Sequence, residues 1–235
     1  MEPRARESLA ALRVYSMAAA TTRIIGIGGP SGSGKSTLAL HLQAALAGGA
    51  EVISLDSYYF PLDHLDAAAR ADCNFDHPGA LDWDLFFRQL TALGQGQPIE
   101  EPVYRFDLHT RDARTRRVEP TPYVIVEGIL ALHRPDARAL MDCRVYIETR
   151  DQECYRRRLD RDTLERGRSG ESVERQYRDT VRPMAEQFVW PTRQNADLVV
   201  SGERGYHEPV QAVMAWLWRG RGGAPVLNRR PVWAE

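Results

Sequence analysis

The sequence predicts an α/β domain built on a parallel sheet with helices on both faces, and three observations carry that prediction. Strand-like and helix-like segments alternate along most of the chain. The strand candidates are short, nearly continuous apolar runs, as expected of strands covered on both sides. The first of them runs through a glycine-rich loop into an Ala/Leu-rich helical stretch.

Arg23-Ile-Ile-Gly-Ile-Gly28 reads as that first buried strand. Gly29-Pro-Ser-Gly-Ser-Gly34-Lys35-Ser36 follows and matches the phosphate-binding loop pattern G-x-x-x-x-G-K-[ST], with Leu38, Leu40, Leu42 and Leu46 in the helical run behind it. Val52–Leu55, Tyr123–Val126, Arg144–Ile147 and Asp197–Val200 are the other expected strands. Helices are expected at Trp83–Leu93, Arg150–Leu164, Ser172–Gln187 and His207–Trp218. Pro102–Asp107 and Arg114–Val118 read as the two arms of a β-hairpin inserted beside the sheet. Residues 1–22 form an Arg/Ala-rich extension in which Met17 is a candidate alternative start, and residues 220–235 read as a loop-like tail. One domain, 23–219, lies between them.

Composition narrows the class. At 26.6 kDa the chain can build one α/β core with a small insertion or lid. A formal net charge of −1 gives no global footprint for nucleic acid. No run is long and apolar enough to cross a bilayer. Cys73, Cys143 and Cys154 fit no zinc spacing and read as reduced thiols, so a cytoplasmic location is expected.

The loop states its own chemistry. Gly29, Ser31, Gly32, Ser33 and Gly34 let the backbone wrap phosphate oxygens, while Lys35, Ser36 and Thr37 open a helix whose N-terminus favours an anion. Lys35 is the only lysine in the chain, the rest of the Lys+Arg count of 31 being arginine; a compact ammonium follows a moving phosphoryl group better than a rigid planar fork does. Ser36 is placed to offer its hydroxyl to Mg²⁺. In such folds ligands sit at the carboxyl ends of the strands. Asp56 follows the strand Val52–Leu55 and is either a general base for an attacking hydroxyl or the N-cap of the next turn. Glu127 ends Tyr123–Val126 and is either a magnesium-side acid or a simple strand-end carboxylate. From Arg150 to Arg182 there are ten arginines and eight acids, so much of that stretch, Arg156 and Arg157 included, reads as a solvated helix face. Arg166-Gly167-Arg168 differs: the glycine breaks the helix and puts two guanidinium groups on a lid-like turn.

Taken in order, these segments resemble the uridine–cytidine kinase family of P-loop kinases. The matching stretches are Gly29–Thr37, Leu55-Asp-Ser-Tyr-Tyr59, Asn74-Phe-Asp-His-Pro78, Pro102-Val-Tyr104, His109-Thr-Arg111, Val126-Glu-Gly-Ile-Leu130, Arg161-Asp-x-x-Glu-Arg-Gly-Arg168, Gln176-Tyr177 and Val181-Arg-Pro-Met184. Gln187-Phe-Val-x-Pro191 through Asp197 completes them, and together they span about residues 23 to 205. The resemblance implies a P-loop NTPase/kinase fold with the hairpin insertion and an arginine-rich lid. It implies transfer of the γ-phosphoryl of ATP or GTP, with Mg²⁺, to the 5′-hydroxyl of uridine or cytidine. It further implies Asp56 as general base, Asp76 with Arg158 on the ribose hydroxyls, and Tyr59, Phe75, Tyr104, His109, Arg168 and Gln176 around the nucleoside. Arg161 and Arg166 match phosphate-contacting lid arginines, Glu127 the magnesium-side acid, and the family assembles as a homotetramer. The expected partner is thus a small-molecule nucleoside, with neither nucleic acid nor membrane involved.

Neutral histidine has one donor and one acceptor nitrogen, which suits His109 to reading both uracil and cytosine. Two positions depart from the family pattern, Arg105 after Pro-Val-Tyr and Gly79 after His-Pro, and both are expected to flank the acceptor pocket. With no second lysine the Asn-Lys-x-Asp guanine motif is absent, which excludes a regulatory GTPase. A phosphoribulokinase-like or pantothenate kinase-like enzyme and a non-catalytic nucleotide sensor remain as alternatives.

Overall fold

The computed structural model describes residues 22–46 and 49–219; the first 21 residues and the 220–235 tail lie outside the described residues. In chain order the elements are β1 (Arg23–Gly28), α1 (Lys35–Ala45), β2 (Ala50–Ser54), α2 (Ala67–Ala71), α3 (Trp83–Gly94), β3 (Ile99–Arg105), β4 (Thr110–Val118), β5 (Tyr123–Glu127) and α4 (Pro135–Ala139). They continue with β6 (Cys143–Glu148), α5 (Asp151–Leu164), α6 (Gly170–Gln176), α7 (Arg182–Met184), β7 (Leu198–Ser201) and α8 (His207–Arg219). Five strands form one sheet in the order β2-β5-β1-β6-β7, and every pairing in it is parallel. The predicted sheet is therefore present, each strand lying within two residues of its expected bounds.

Alternation along the strands divides the core in two. Ile25 and Ile27 of β1 and Ile125 of β5 pack with Leu38 and Leu42 of α1 and Val213 and Leu217 of α8. Ile24, Val124 and Val126 face the other way, against Phe86, Leu90 and Leu93 of α3. Both faces of the sheet are thus apolar, which is why its strands read as continuous hydrophobic runs. The parallel arrangement brings the carboxyl ends of β1, β2 and β5 together, and the phosphate loop, Asp56 and Glu127 all emerge there.

β3 and β4 pair only with each other, antiparallel, with a register shift between Pro102 and Tyr104. The hairpin is tighter than the sequence suggests. Its second strand starts at Thr110 rather than Arg114, because His109 adopts a left-handed conformation (φ 51°) and closes a turn over 106–109. Histidine is among the few non-glycine residues enriched there. Two arginines fasten the hairpin, one to the turn after β2 and the cap of α3, the other to the sheet edge. Arg111 donates to the Tyr58 carbonyl at 2.8 Å and meets the Asp82 carboxylate at 3.3 Å, while Asp82 also caps α3 through the Leu85 N–H at 3.0 Å. Arg116 grips buried Glu101 at 2.6 Å and reaches the edge strand β2 through Glu51 (2.9 Å) and the Val52 carbonyl (2.8 Å). The expected helix over 172–187 is a shorter α6, after which the chain widens into π turns at Tyr177–Val181 and Ala185–Val189 on either side of α7. The i→i+5 bonding of such turns leaves no mark in hydrophobic periodicity.

Phe86 sits beneath the Asp56 turn, edge-on to the Tyr58 ring at 5.2 Å, and is fully buried. Phe86→Ala is expected to lower unfolding free energy by about 3–5 kcal/mol, read from the urea midpoint.

Candidate active site

Two adjoining cavities lie at the carboxyl ends of the strands. The first is the phosphate cavity, walled by Ser31, Gly32, Gly34, Lys35, Ser36 and Thr37, with Glu127 and Asp56 opposite. Gly32 has φ 81°, and a Cβ there would lie 2.3 Å from the Cys154 carbonyl oxygen, so only glycine fits between this turn and α5. Gly29 and Ser33, expected on the phosphates, are not among the lining residues. Gly29 packs against the Ile147 backbone, and buried Ser33 gives its N–H to the Pro30 carbonyl (3.1 Å) while its own carbonyl accepts from Thr149 (3.1 Å). They shape the turn from behind.

Lys35 is buried, its Nζ donating to the Pro30 carbonyl at 2.9 Å. Burial pushes its pKa down, opposed by the nearby Glu127 and Asp56 carboxylates. Glu127 is shifted up, by burial first and by Asp56 second, and Ser54 Oγ donates to it at 3.0 Å. Ser36 lines the same cavity beside Glu127. One hydroxyl and one carboxylate side by side fit a Mg²⁺ that keeps waters and takes its remaining oxygens from phosphates. Among the described residues no cluster of three His, Cys, Asp or Glu forms a separate metal cage.

The second, acceptor cavity is lined by Tyr59, Phe75, Asp76, Tyr104, His109 and Gln176 together with Arg158 and Arg168, which brings together every residue expected around the nucleoside. Tyr59, Phe75 and Tyr104 form an edge-on aromatic triad with centroids 5.2–6.2 Å apart. Phe75 stacks on His109 at 5.7 Å with an 18° interplanar angle. The Tyr104 hydroxyl is buried without a hydrogen-bond partner, an orphaned polar group facing this cavity. Burial, then Arg168 and Arg166, lower the His109 pKa, so the ring is neutral at neutral pH and keeps one donor and one acceptor nitrogen. Asp76 is buried; burial raises its pKa and Arg158 opposes that shift. Tyr59 and Asp56 share the cavity wall, and burial first, then the Asp56 and Asp76 carboxylates, raise the Tyr59 pKa. Ser31, Asp56, Ile129 and Arg161 line both cavities.

The lid follows α5. Arg158 donates to Ser31 Oγ at 2.9 Å and to Gln176 at 3.0 Å, and Arg168 hydrogen-bonds Gln176 and Ser172. Arg166 lies 4.4 Å above the Phe106 ring on the hairpin turn. Gly167 takes φ 65° with open space about it, the geometry of a turn rather than a helix. Arg156 is an exposed helix-face residue paired with Glu153 and Asp160, as expected. Arg157 is not merely solvated: it bonds Glu153 and the Gly202 carbonyl (2.9 Å) and lines the phosphate cavity. The fold brings the Gly202 loop, 45 residues away in sequence, beside α5.

Both departures from the family pattern fall outside the cavities. Arg105 turns to Asp107 (2.6 Å) and Asp112 (3.6 Å) and stiffens the hairpin turn, and Gly79 donates its N–H to His77 Nδ1. Sequence reasoning missed Tyr206, which reaches the phosphate loop beside Gly34, and Asp162 beneath the lid. No motif marks Tyr206. Asp162 stands in the family-like stretch Arg161-Asp-x-x-Glu-Arg-Gly-Arg168, but nothing in the sequence gives it a role there.

Comparison with known proteins agrees with this arrangement. A model of the Phosphoribulokinase / Uridine kinase family matches residues 24–205. The uridine kinase of Staphylococcus epidermidis is 43% identical over 180 residues, covering 76% of this chain and 87% of that protein. That of Lactobacillus johnsonii is 45% identical over 179 residues, with 75% and 85% covered. Among solved structures, D-glycerate 3-kinase from Cryptococcus neoformans superposes with a TM-score of 0.58 at 17% identity, covering 87% of this chain and 98% of that one. Phosphoribulokinase from Rhodobacter spheroides does so with a TM-score of 0.55 at 15% identity, covering 80% and 75%; at such identities the likeness is one of fold. With a parallel sheet, a phosphate loop and a family match spanning most of its length, the chain belongs to the Phosphoribulokinase / Uridine kinase family.

Proposed function

We propose that the protein transfers the γ-phosphoryl group of ATP or GTP to the 5′-hydroxyl of uridine and cytidine, giving UMP and CMP. The observation that carries this reading is the shared wall: Asp56 and Arg161 line the phosphate cavity and the acceptor cavity at once. A hydroxyl entering from one side and a terminal phosphate from the other would meet at Asp56. That carboxylate, beside Tyr59 in the cavity wall, takes the hydroxyl proton as the oxygen attacks phosphorus and the nucleoside diphosphate leaves. Lys35, Arg161 and Arg166 offset the charge on the transferring group. Ser36 and Glu127 would hold Mg²⁺, which when bound would neutralise phosphate charge.

A pyrimidine nucleoside is favoured over the phosphorylated or chain-like acceptors of related kinases by the acceptor cavity itself. Its stacked Phe75–His109 pair suits a flat base, and the orphaned Tyr104 hydroxyl suits a base edge. Buried Asp76 beside Arg158 suits a vicinal diol, because a 2′-deoxyribose would leave that carboxylate short of a partner. The relatives named uridine kinase support the same acceptor. A homotetramer acting in the cytoplasm completes the proposal; no helix among the described residues is long and apolar enough to cross a membrane.

A coupled assay with ATP or GTP against uridine, cytidine, 2′-deoxyuridine, pantothenate and ribulose 5-phosphate tests the reading. Uridine and cytidine are expected to turn over, with 2′-deoxyuridine lower by about 10²-fold in kcat/KM; preference for pantothenate or ribulose 5-phosphate overturns it. Asp56→Asn should depress kcat by about 10²–10⁴-fold and move uridine KM far less, and the reverse pattern would make Asp56 a binding residue. His109→Tyr should shift the uridine-to-cytidine ratio of kcat/KM toward cytidine by about tenfold. The ratio cancels any backbone strain at this left-handed position, so an unchanged ratio removes His109 as a base reader.

A further inference from the structure

We propose that Asp162 is the positioning residue of the lid, a single buried counter-charge that holds the two halves of the active site in one arrangement. Its carboxylate is fully buried, and four guanidinium groups surround it: Arg161 at 2.8 Å, Arg166 at 3.4 Å, Arg158 at 3.5 Å and Arg168 at 3.8 Å. All four line the acceptor cavity, and Arg161 lines the phosphate cavity as well. The four come from one short stretch of chain, where like charges at this spacing repel strongly in a medium poorer in water than the surface. Without an anion among them they would splay into solvent, and Asp162 is the one acid within ion-pair distance of all four among the described residues.

The two carboxylate oxygens are held differently: Oδ1 accepts a directed bond from Arg161 at 2.9 Å. Asp162 Oδ2 and Arg158 Nε are both buried, and neither has a directed hydrogen bond, so charge rather than bond geometry holds them at 3.5 Å. The backbone closes the lid on the same residue, since the Arg168 N–H donates to the Asp162 carbonyl at 3.0 Å. Asp162 therefore sits at the root of a loop that carries Arg166 and closes at Arg168. A carboxylate so placed lets Arg161 and Arg166 lean toward a phosphate while Arg158 and Arg168 stay on the nucleoside side with Ser31 and Gln176. This inference rests on the roles proposed for the lid arginines, not on which base is accepted.

Asp162→Asn keeps shape and removes charge. It is expected to lower kcat by about 10²-fold, the scale of a slightly misplaced reacting group, and to raise uridine KM about tenfold as Arg158 and Arg168 lose their anchor. A merely structural role would reduce the folded fraction, lowering apparent kcat at unchanged KM, so rates are normalised to the folded fraction from thermal denaturation. Asp162→Ala leaves room among the four arginines for a small anion; formate should restore part of kcat, and neutral formamide should not. Should Asp162→Ala not fold, Asp162→Asn carries the test. Asp162→Asn within about threefold of wild type in both constants, or a kcat loss at unchanged KM with no recovery in formate, overturns the proposal. A wild type inactive on uridine counts against the acceptor reading alone. The lid is then judged by trypsin, which should cut after Arg166 or Arg168 several-fold faster in Asp162→Asn; equal cutting rates overturn the proposal.

Discussion

Charge buried at the carboxyl edge of a parallel sheet is the constraint on which the rest of this structure depends. Lys35 and Arg158 are buried there together with Asp76, Glu127 and Asp162. None of these groups could leave water alone, because an unpaired buried ion costs far more than one side chain's packing returns. The fold tolerates them as a set. The phosphate loop sets the ammonium against Glu127 and Asp56, the α5 helix sets guanidinium groups against Asp162 and Asp76, and the sheet brings both sets to one crevice. Burial of this kind shifts pKa values and orders side chains before any ligand arrives, which is the condition for electrostatic catalysis without reorganisation.

That crevice explains what could be read from the sequence. Elements set by local pattern were legible: the apolar strands, the phosphate loop, Asp56 and Glu127 at strand ends, and a hairpin beside the sheet. Residues tied to a family motif, such as Phe75, Asp76, Tyr104 and His109, were legible as a group, and the fold gathers them in one cavity. What escaped depends on tertiary placement. Asp162 falls inside the family-like stretch and Asp160 just outside it, yet both are acids among arginines on one helix; only packing decides that the first is fully buried and the second an exposed partner of Arg156. Arg157 reads like Arg156, yet points at the Gly202 loop, which no local window contains. Arg105 and Gly79 looked like changes to the pocket because they neighbour its residues in sequence. In a strand, however, adjacent side chains face opposite ways, and Arg105 turns from the cavity that Tyr104 lines.

Division of labour between the two cavities follows from their construction. The phosphate side is made by regular elements, a strand end and a helix start, whose geometry is shared across many folds with other acceptors. The acceptor side is made by the hairpin, the aromatic triad and the lid, all of which are additions beside the sheet. Under the proposed function, the reaction type belongs to the sheet edge and the choice of acceptor to the appendages.

One of those appendages has a second consequence. β2 is a terminal strand of the five-stranded sheet, and a terminal strand with open carbonyls is a template for another chain. Arg116 of the hairpin occupies that edge, donating to the Val52 carbonyl and pairing with Glu51 while it grips buried Glu101. The element that shapes the acceptor cavity is thus also a guard against edge-to-edge aggregation. Grafting a different hairpin to change the acceptor would uncover the sheet edge unless the new arm carried its own cation to the same carbonyl, which ties the choice of substrate to the solubility of the protein.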